Sequence, residues 1–254
     1  MKSMEIEPNE RYYRILLFSS IKICYNGYSI EKLTSMKKRK NDLEDAMKIK
    51  EPKIFYDKEV GIEEALEEQM YEHTLFSSQK EVDIEIKDIT FDSCIFDHID
   101  FTNIKLINVD FVDVIFEECD LSNQCFDRKR IDRVIFKNCK MIGTSFIESA
   151  LYDIQFFNCL TQYLNFASAK MKGIYLKDSS FNDATFMENS IQNMEVENTK
   201  FHQTEFIKTS LKGIDFSSCD IEKAKFDTFS LQGIIINQFQ ASYLIGMLGV
   251  IVKY

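Results

Sequence analysis

Residues 91–121 read FDSCIFDHIDFTNIKLINVDFVDVIFEECDL, with a large apolar residue at every fifth position: Phe91, Phe96, Phe101, Leu106, Phe111, Phe116 and Leu121. The rule extends in both directions. From Ile86 to Ile236 every residue whose number ends in 1 or 6 is apolar except Thr161, a run of 31 consecutive five-residue units. A period of five matches neither the helix period of about 3.6 nor the strand period of 2. A different backbone path must therefore send one large side chain inward per five residues.

A second register accompanies the first. Positions ending in 4 or 9 are small or apolar, as at Cys94, Ile99, Val114, Cys119, Cys139, Ile154, Cys159, Ala169 and Cys219, with Thr144, Ser149, Ser179, Thr199, Thr204 and Thr209 as small polar variants. Two residues apart on an extended chain means the same side. Each unit thus sends a small and then a large residue inward. The other three positions are mostly Asp, Asn, Ser, Lys, Glu or Gly, which suits a solvated turn. Gln124 and Lys129 fall at inward positions, and burying an unpaired Lys is costly. A local bulge is therefore expected between Ser122 and Arg133. Thr161 and Asn189 are expected to be smaller defects.

The units Cys119-Asp120-Leu121-Ser122-Asn123, Ile214-Asp215-Phe216-Ser217-Ser218 and Ala224-Lys225-Phe226-Asp227-Thr228 resemble the motif of the pentapeptide-repeat family. That resemblance implies an all-β fold, a right-handed quadrilateral β-helix with four units per coil, and a C-terminal helical cap. Roughly eight coils stacked at about 4.8 Å would give a rod on the order of 37 Å long. The expected divisions are a non-repeat extension over 1–46, an N-terminal lead-in and cap over 47–83, the repeat β-helix over 84–237, and a capping or dimerisation segment over 238–254. Residues 59–75, with Ile62, Leu66 and Met70 at helical spacing, predict a short acidic helix in the lead-in. The stretch Lys40–Met47 and the segment Met47-Lys48-Ile49-Lys50 suggest Met47 as a natural start, with 1–46 an upstream-start artefact. The other reading is a genuine partner-binding arm.

Composition narrows the function. Five of the seven cysteines, Cys94, Cys119, Cys139, Cys159 and Cys219, sit at inward positions, spaced by the repeat and not by metal ligation. They read as small core residues in a reducing, cytoplasmic setting. The histidines His73, His98 and His202 are scattered, and no nucleophilic triad, phosphate loop or zinc signature is present. The expectation is a protein that is not an enzyme and carries no cofactor and no metal. No segment has membrane-spanning length.

The chain carries 31 basic and 41 acidic residues, a net charge of −10. Residues 81–254 hold 17 basic and 26 acidic groups, net −9, so the negative charge sits on the repeat region. The face built on Phe96, Phe116, Phe136, Phe156, Leu176, Val196, Phe216 and Ile236 carries Asp97, Glu117, Glu118, Asp178, Glu195, Glu197 and Asp215, against Lys137 and Lys177. The neighbouring face, built on the Phe91 column, mixes both signs. The acidic face is the candidate partner surface, although a soluble rod needs some acidic surface in any case.

After Ile236 the rule stops. Gln238 to Leu248 is expected to be helical, with Phe239, Tyr243, Leu244, Met247 and Leu248 at helical spacing, followed by Val250 and Ile251. The segment reads as a cap with surplus apolar surface, hence a dimerisation element. Its runs Leu231-Gln232-Gly233-Ile234, Gln240-Ala241-Ser242-Tyr243-Leu244 and Leu248-Gly249-Val250-Ile251-Val252 resemble the C-terminus of Qnr-type quinolone-resistance proteins, in the loop-free form found in Gram-positive bacteria. The resemblance implies a homodimer joined through its C-termini. It also implies a DNA mimic that binds DNA gyrase or topoisomerase IV and protects it from quinolones, without binding nucleic acid itself. An acidic rod can imitate B-DNA, which carries one charge per about 1.7 Å. Two other readings stay open: an immunity protein guarding gyrase from a different poison, and a protein-interaction rod with an unrelated partner.

Overall fold

The computed structural model describes residues 48–66, 69–77, 82–247 and 249–251. The expectations for 1–46 and for Leu248 lie outside them. Short strands follow one another as β1 (Lys58–Gly61), β2 (Met70–Glu72), β3 (Thr74–Ser77), β4 (Ile84–Lys87), β5 (Thr90–Asp92), β6 (Ile95–Asp97) and β7 (Ile104–Ile107). Then come five eight-residue strands, β8 (Asp110–Glu117), β9 (Arg130–Lys137), β10 (Ala150–Phe157), β11 (Lys170–Lys177) and β12 (Ser190–Glu197). The two-residue β13 (Glu205–Phe206) and β14 (Lys225–Phe226) precede the helix α1 (Gln238–Met247). Pairing is parallel, and from β2 onward each residue lies opposite the one twenty further on, as Phe116 against Phe136, Phe136 against Phe156 and Phe156 against Leu176, while β1 pairs with β3 sixteen residues on. The fold is a parallel β-solenoid of four five-residue units per coil.

The sequence dictates this path at each corner. Positions ending in 3 or 8 repeatedly adopt positive φ, as at Asn123 (61°), Asn138 (55°), Asp153 (54°) and Gly173 (74°). Asn, Asp and Gly tolerate the left-handed region best and are common there, although Arg128, Glu148 and Tyr163 adopt it too. One left-handed residue per unit turns the chain and returns the next unit's two apolar positions to the core.

That core is a set of stacked columns. Phe76, Phe96, Phe116, Phe136 and Phe156 stack with successive centroids 5.1, 4.9, 5.2 and 5.0 Å apart. A second stack runs through Phe126, Phe146, Phe166, Phe186, Phe206 and Phe226. Several inward hydroxyls donate to the carbonyl 23 residues earlier: Thr144 Oγ1 to Leu121 (2.8 Å), Ser149 Oγ to Phe126 (2.7 Å), Thr204 Oγ1 to Phe181 (2.6 Å). The thiols of Cys119, Cys139 and Cys159 point at the matching carbonyls of Phe96, Phe116 and Phe136. A small polar residue is therefore satisfied in this core.

The same rule removes the expected bulge. Gln124 is buried, and its Nε2 donates to the carbonyls of Phe101 (2.7 Å) and Ile104 (3.0 Å), doing with a longer arm what Thr144 does. Lys129 is only half-buried, and pairing continues unbroken from Phe111 to Ile131 to Leu151. Thr161 is buried and donates to Ser180 O at 2.8 Å. Asn189 is a real defect: its Oδ1 accepts from Ala169 N, but its buried Nδ2 has no partner among the described residues.

At the N-terminal end the expected acidic helix is a single 3-10 turn, Ile62–Leu66. Around it, β1 pairs with β3, and β2 and β3 pair with β5 and β6. Solenoid pairing thus begins at Lys58. Met70 is exposed while Tyr71 and Phe76 are buried and stack on Phe91 (5.9 Å) and Phe96 (5.1 Å). Ladder pairing with a preformed coil outweighs a weak helical spacing. At the other end Asn237 Oδ1 accepts from the N–H groups of Phe239 (2.9 Å) and Gln240 (3.0 Å), and Gln240 Oε1 accepts from Asn237 N (2.8 Å). This reciprocal capping box starts α1. Gln240 Nε2 donates to Phe216 O and Cys219 O, and Leu244 is buried, so α1 closes the last coil.

Candidate functional site

The outer side of the Phe96 face is built by β6, β8, β9, β10, β11 and β12, whose inward Phe96, Phe116, Phe136, Phe156, Leu176 and Val196 fix the direction of every outward side chain. The seven expected carboxylates lie along it, but the face is less negative than their number implies. Glu117 meets Lys137 Nζ at 2.5 Å, and Glu197 meets Lys177 Nζ at 3.0 Å. The Tyr175 hydroxyl donates to Glu197 at 2.7 Å, and with Lys177 it holds that carboxyl below the usual range against the opposing effect of burial. Both ion pairs join residues twenty apart, one coil above the other. The same relation links Asp120 to Lys140, Arg128 to Glu148, Glu188 to Lys208 and Glu205 to Lys225.

His98 is the functional candidate that residue spacing did not reveal. Its Nδ1 lies 2.6 Å from Asp97 and its Nε2 2.7 Å from Glu118. The hydrogen bond and charge of Asp97, then the charge and hydrogen bond of Glu118, push the imidazole pKa up. In its charged form the ring neutralises part of the local acidic group. The readable signal was its place twenty residues before Glu118's corner position. Asp178, Glu195 and Asp215 have no ion-pair partner among the described residues, although Asp215 accepts from Ser217 N at 2.9 Å. The unpaired charge is thus at the C-terminal part of the face. Its N-terminal part carries a half-buried apolar pair, Ile95 and Ile115, followed by the buried Ile135.

The mixed neighbouring face contributes a partly buried ion pair. Arg133 Nε and Nη2 donate to the two oxygens of Asp113 at 2.6 and 2.8 Å, and Nη1 donates to Asp132 at 2.8 Å. Burial would raise the Asp113 carboxyl, but Arg133 and the Lys53 N–H hold it below its ordinary value.

The expected dimerisation residues divide into two groups. Leu244 is buried and the Tyr243 hydroxyl donates to Ala224 O at 3.1 Å, so both serve the cap. Phe239, Met247, Val250 and Ile251 are exposed, Phe239 at 78% and Ile251 at 86%. Ile245, Phe229 and Ile235 add exposed apolar surface at the same end. Among the described residues no helix is long and apolar enough to cross a membrane, and no three His, Cys, Asp or Glu side chains converge as a metal site.

These features define a five-residue-repeat β-solenoid, a class whose extended outer faces are its working surface. The family model for pentapeptide repeats (8 copies) matches residues 86–123, and that for the pentapeptide repeat region matches residues 109–186. Together the two matches span residues 86–186 of the chain. No curated protein matches it. Among solved structures it is similar to a trypsin-treated form of QnrB1, a plasmid-mediated fluoroquinolone resistance protein, at 17% identity and TM-score 0.40 over 78% of this chain and 100% of that one. Full-length QnrB1 gives 16% identity and TM-score 0.31 over 71% and 100%. A pentapeptide repeat protein from the Arabidopsis thaliana thylakoid lumen gives 17% and 0.22 over 50% and 71%. Likeness at this level says nothing about partner or activity.

Proposed function

We propose that this solenoid is a DNA mimic that binds a type II topoisomerase, DNA gyrase or topoisomerase IV, and protects it from quinolone-type poisons. The observation that carries the reading is the run of unpaired carboxylates Asp178, Glu195 and Asp215 on one regular face, on a repeat region of net charge −9. The resemblance of the C-terminal runs to Qnr-type proteins points the same way. A groove built for DNA phosphates is lined with cations, and a fixed row of carboxylates at coil spacing would exchange for phosphate there. The exposed Phe239, Met247, Val250 and Ile251 support a homodimer joined end to end through the C-termini, which doubles the length of the acidic surface. Action on a topoisomerase places the protein in the cytoplasm.

One observation favours a second reading. Ile95 and Ile115 form a short, half-buried apolar column on the same face, and four of the seven carboxylates there are already paired. Phosphate mimicry needs no such apolar column, whereas docking against another protein does. That reading is an interaction rod or immunity protein with a different partner.

The test is gyrase supercoiling in the presence of a quinolone and increasing amounts of the protein. Rescue is expected, and it should be lost on Asp178→Lys with Glu195→Lys and Asp215→Asn, whose side chains are exposed and whose replacement leaves the circular dichroism unchanged. Rescue that survives these three changes removes this face from the mechanism. No effect on gyrase at micromolar protein favours the second reading.

A further inference from the structure

Residues 48–57 precede the first coil and run along the outside of the solenoid. They follow the corner between the Phe91 and Phe96 faces, where His73, Ser93, Asp113, Arg133 and Asp153 stack at positions ending in 3. Asp153 accepts the main-chain N–H of Lys50, and Asp113 accepts that of Lys53 at 3.0 Å. Asp57 N then donates to His73 O at 3.1 Å, and the Phe55 ring stacks on His73 at 4.0 Å. The spacing has a physical reason. Three residues of extended chain reach about 10 Å, and two coils rise roughly the same distance. Lys50 and Lys53 are three residues apart, and Asp153 and Asp113 are two coils apart. Gly173, at φ 74°, leaves open the space that the Asp153 carboxylate fills, since a Cβ there would lie 2.4 Å from Asp153 Oδ1.

We infer that residues 48–57 form a detachable strap that covers and neutralises an acidic corner beside the Phe96 face. Several features separate it from the solenoid proper. It has no strand pairing, whereas every coil beside it is held by a ladder. Only Ile49, Pro52 and Ile54 are half-buried, and Phe55 and Tyr56 are more than half exposed. Segments with little buried apolar surface open at low cost. The corner also tolerates the loss of the strap, because Asp113 keeps both bonds to Arg133, and Arg133 keeps Asp132. Burial raises the Asp153 carboxyl and the Lys50 N–H opposes that rise, so this group gains solvation when the strap leaves. Lys50 and Lys53 bring positive charge to Asp153 and Asp113. Opening therefore uncovers Asp153, and Asp113 with its Arg133 partner, and removes the Lys50 and Lys53 charges from beside them. Under the topoisomerase reading, on which this consequence rests, the strap restrains partner binding.

Limited trypsin cleavage of the full chain after Lys50 measures opening without any partner. Cleavage tracks the open population when closing is fast. Lys53→Pro removes one strap N–H and leaves the solenoid untouched, while Asp113→Asn with Asp153→Asn removes the two charges and keeps the side-chain shapes. Each should speed cleavage after Lys50 by about tenfold, as for loss of a hydrogen bond to a charged group. High salt should do the same to the unaltered chain. Equal cleavage in all forms, or strap and solenoid opening at one denaturant concentration, would make the segment an integral part of the fold and overturn the inference. Cleavage of the unaltered chain as fast as a free 48–57 peptide would mean that the strap is never closed. Gyrase affinity, measured on the same variants, should rise with opening. If no form binds gyrase, the topoisomerase reading fails while the cleavage result stands.

Discussion

Phe181→Ala offers the most demanding check of the columnar core. Phe181 is fully buried, and its ring contacts Phe156 (5.5 Å), Phe166 (6.4 Å), Phe186 (6.1 Å) and Phe201 (5.8 Å). One coil earlier in its own column stands Thr161, the only polar residue at a central position between Ile86 and Ile236. Phe181 thus sits beside the smallest residue of its column and fills space that Thr161 leaves. Shortening it to Ala places two small residues in succession. The walls cannot close on the gap, because Phe181 N donates to Lys200 O at 2.8 Å and Thr161 N to Ser180 O at 2.9 Å, holding the coils at fixed spacing. Buried Phe→Ala changes cost about 3–5 kcal/mol, the upper end applying where the site cannot relax. We expect about 4–5 kcal/mol here on that scale, against less than about 1.5 kcal/mol for Phe181→Leu, which keeps most of the volume. Urea unfolding followed by circular dichroism, with hydrogen exchange of the 160–200 amides, reads both the global and the local loss. A cost below about 1 kcal/mol for the Ala variant would mean that these residues do not fill the core as described.

His98 should titrate above the ordinary histidine value of about 6.5, and Asp97→Asn should lower its pKa. Its folded-state pKa is raised, so the stability it contributes is full below that unfolded value and is lost as pH rises through the folded one; the side-chain proton resonances across pH 5–9, roughly the range of histidine titration, check this. Truncation after Asn237 removes the Gln240 and Leu244 contacts that close the last coil, as well as the exposed Phe239, Met247, Val250 and Ile251. It should convert a dimer at tens of micromolar, as seen by sedimentation, into a monomer or an aggregating open end; a full-length chain that is already monomeric at that concentration removes the dimer from the account.

Most of the solenoid was legible because its determinants are local and repeated. One apolar residue in five, a small residue two before it and a turn-former two after it recur at most units from Ile86 onward. The errors fall where a single unit was judged without its neighbours above and below. Gln124 looked like a buried polar liability, yet the carbonyls of Phe101 and Ile104, one coil earlier, were already waiting for its amide. On the face as a whole the carboxylates are set against Lys137 and Lys177, but only the twenty-residue spacing pairs Glu117 with Lys137 and Glu197 with Lys177. In a β-solenoid the informative partner of residue i is at i ± 20, and a reading along the chain in steps of five misses it.

The strap shows the remaining limit from the other side. Nothing in Lys48–Asp57 repeats, so no periodicity marks it, and its anchors are main-chain N–H groups that any residue except proline supplies. What selects its path is the rod: two corner aspartates with an arginine between them, and a glycine at 173 that leaves room for one of the carboxylates. Asp113, Arg133 and Asp153 looked like the unremarkable charges of a mixed face because their role depends on a segment 60 residues or more away in sequence. Charge on a repeat surface thus divides by what it faces. Of the seven carboxylates on the Phe96 face, Glu117 and Glu197 meet a cation at i ± 20, Asp97 and Glu118 meet His98, and Asp178, Glu195 and Asp215 have no ion-pair partner among the described residues. A test that reverses all seven at once would confound ion pairing between side chains with partner binding, whereas one confined to the unpaired three isolates the latter.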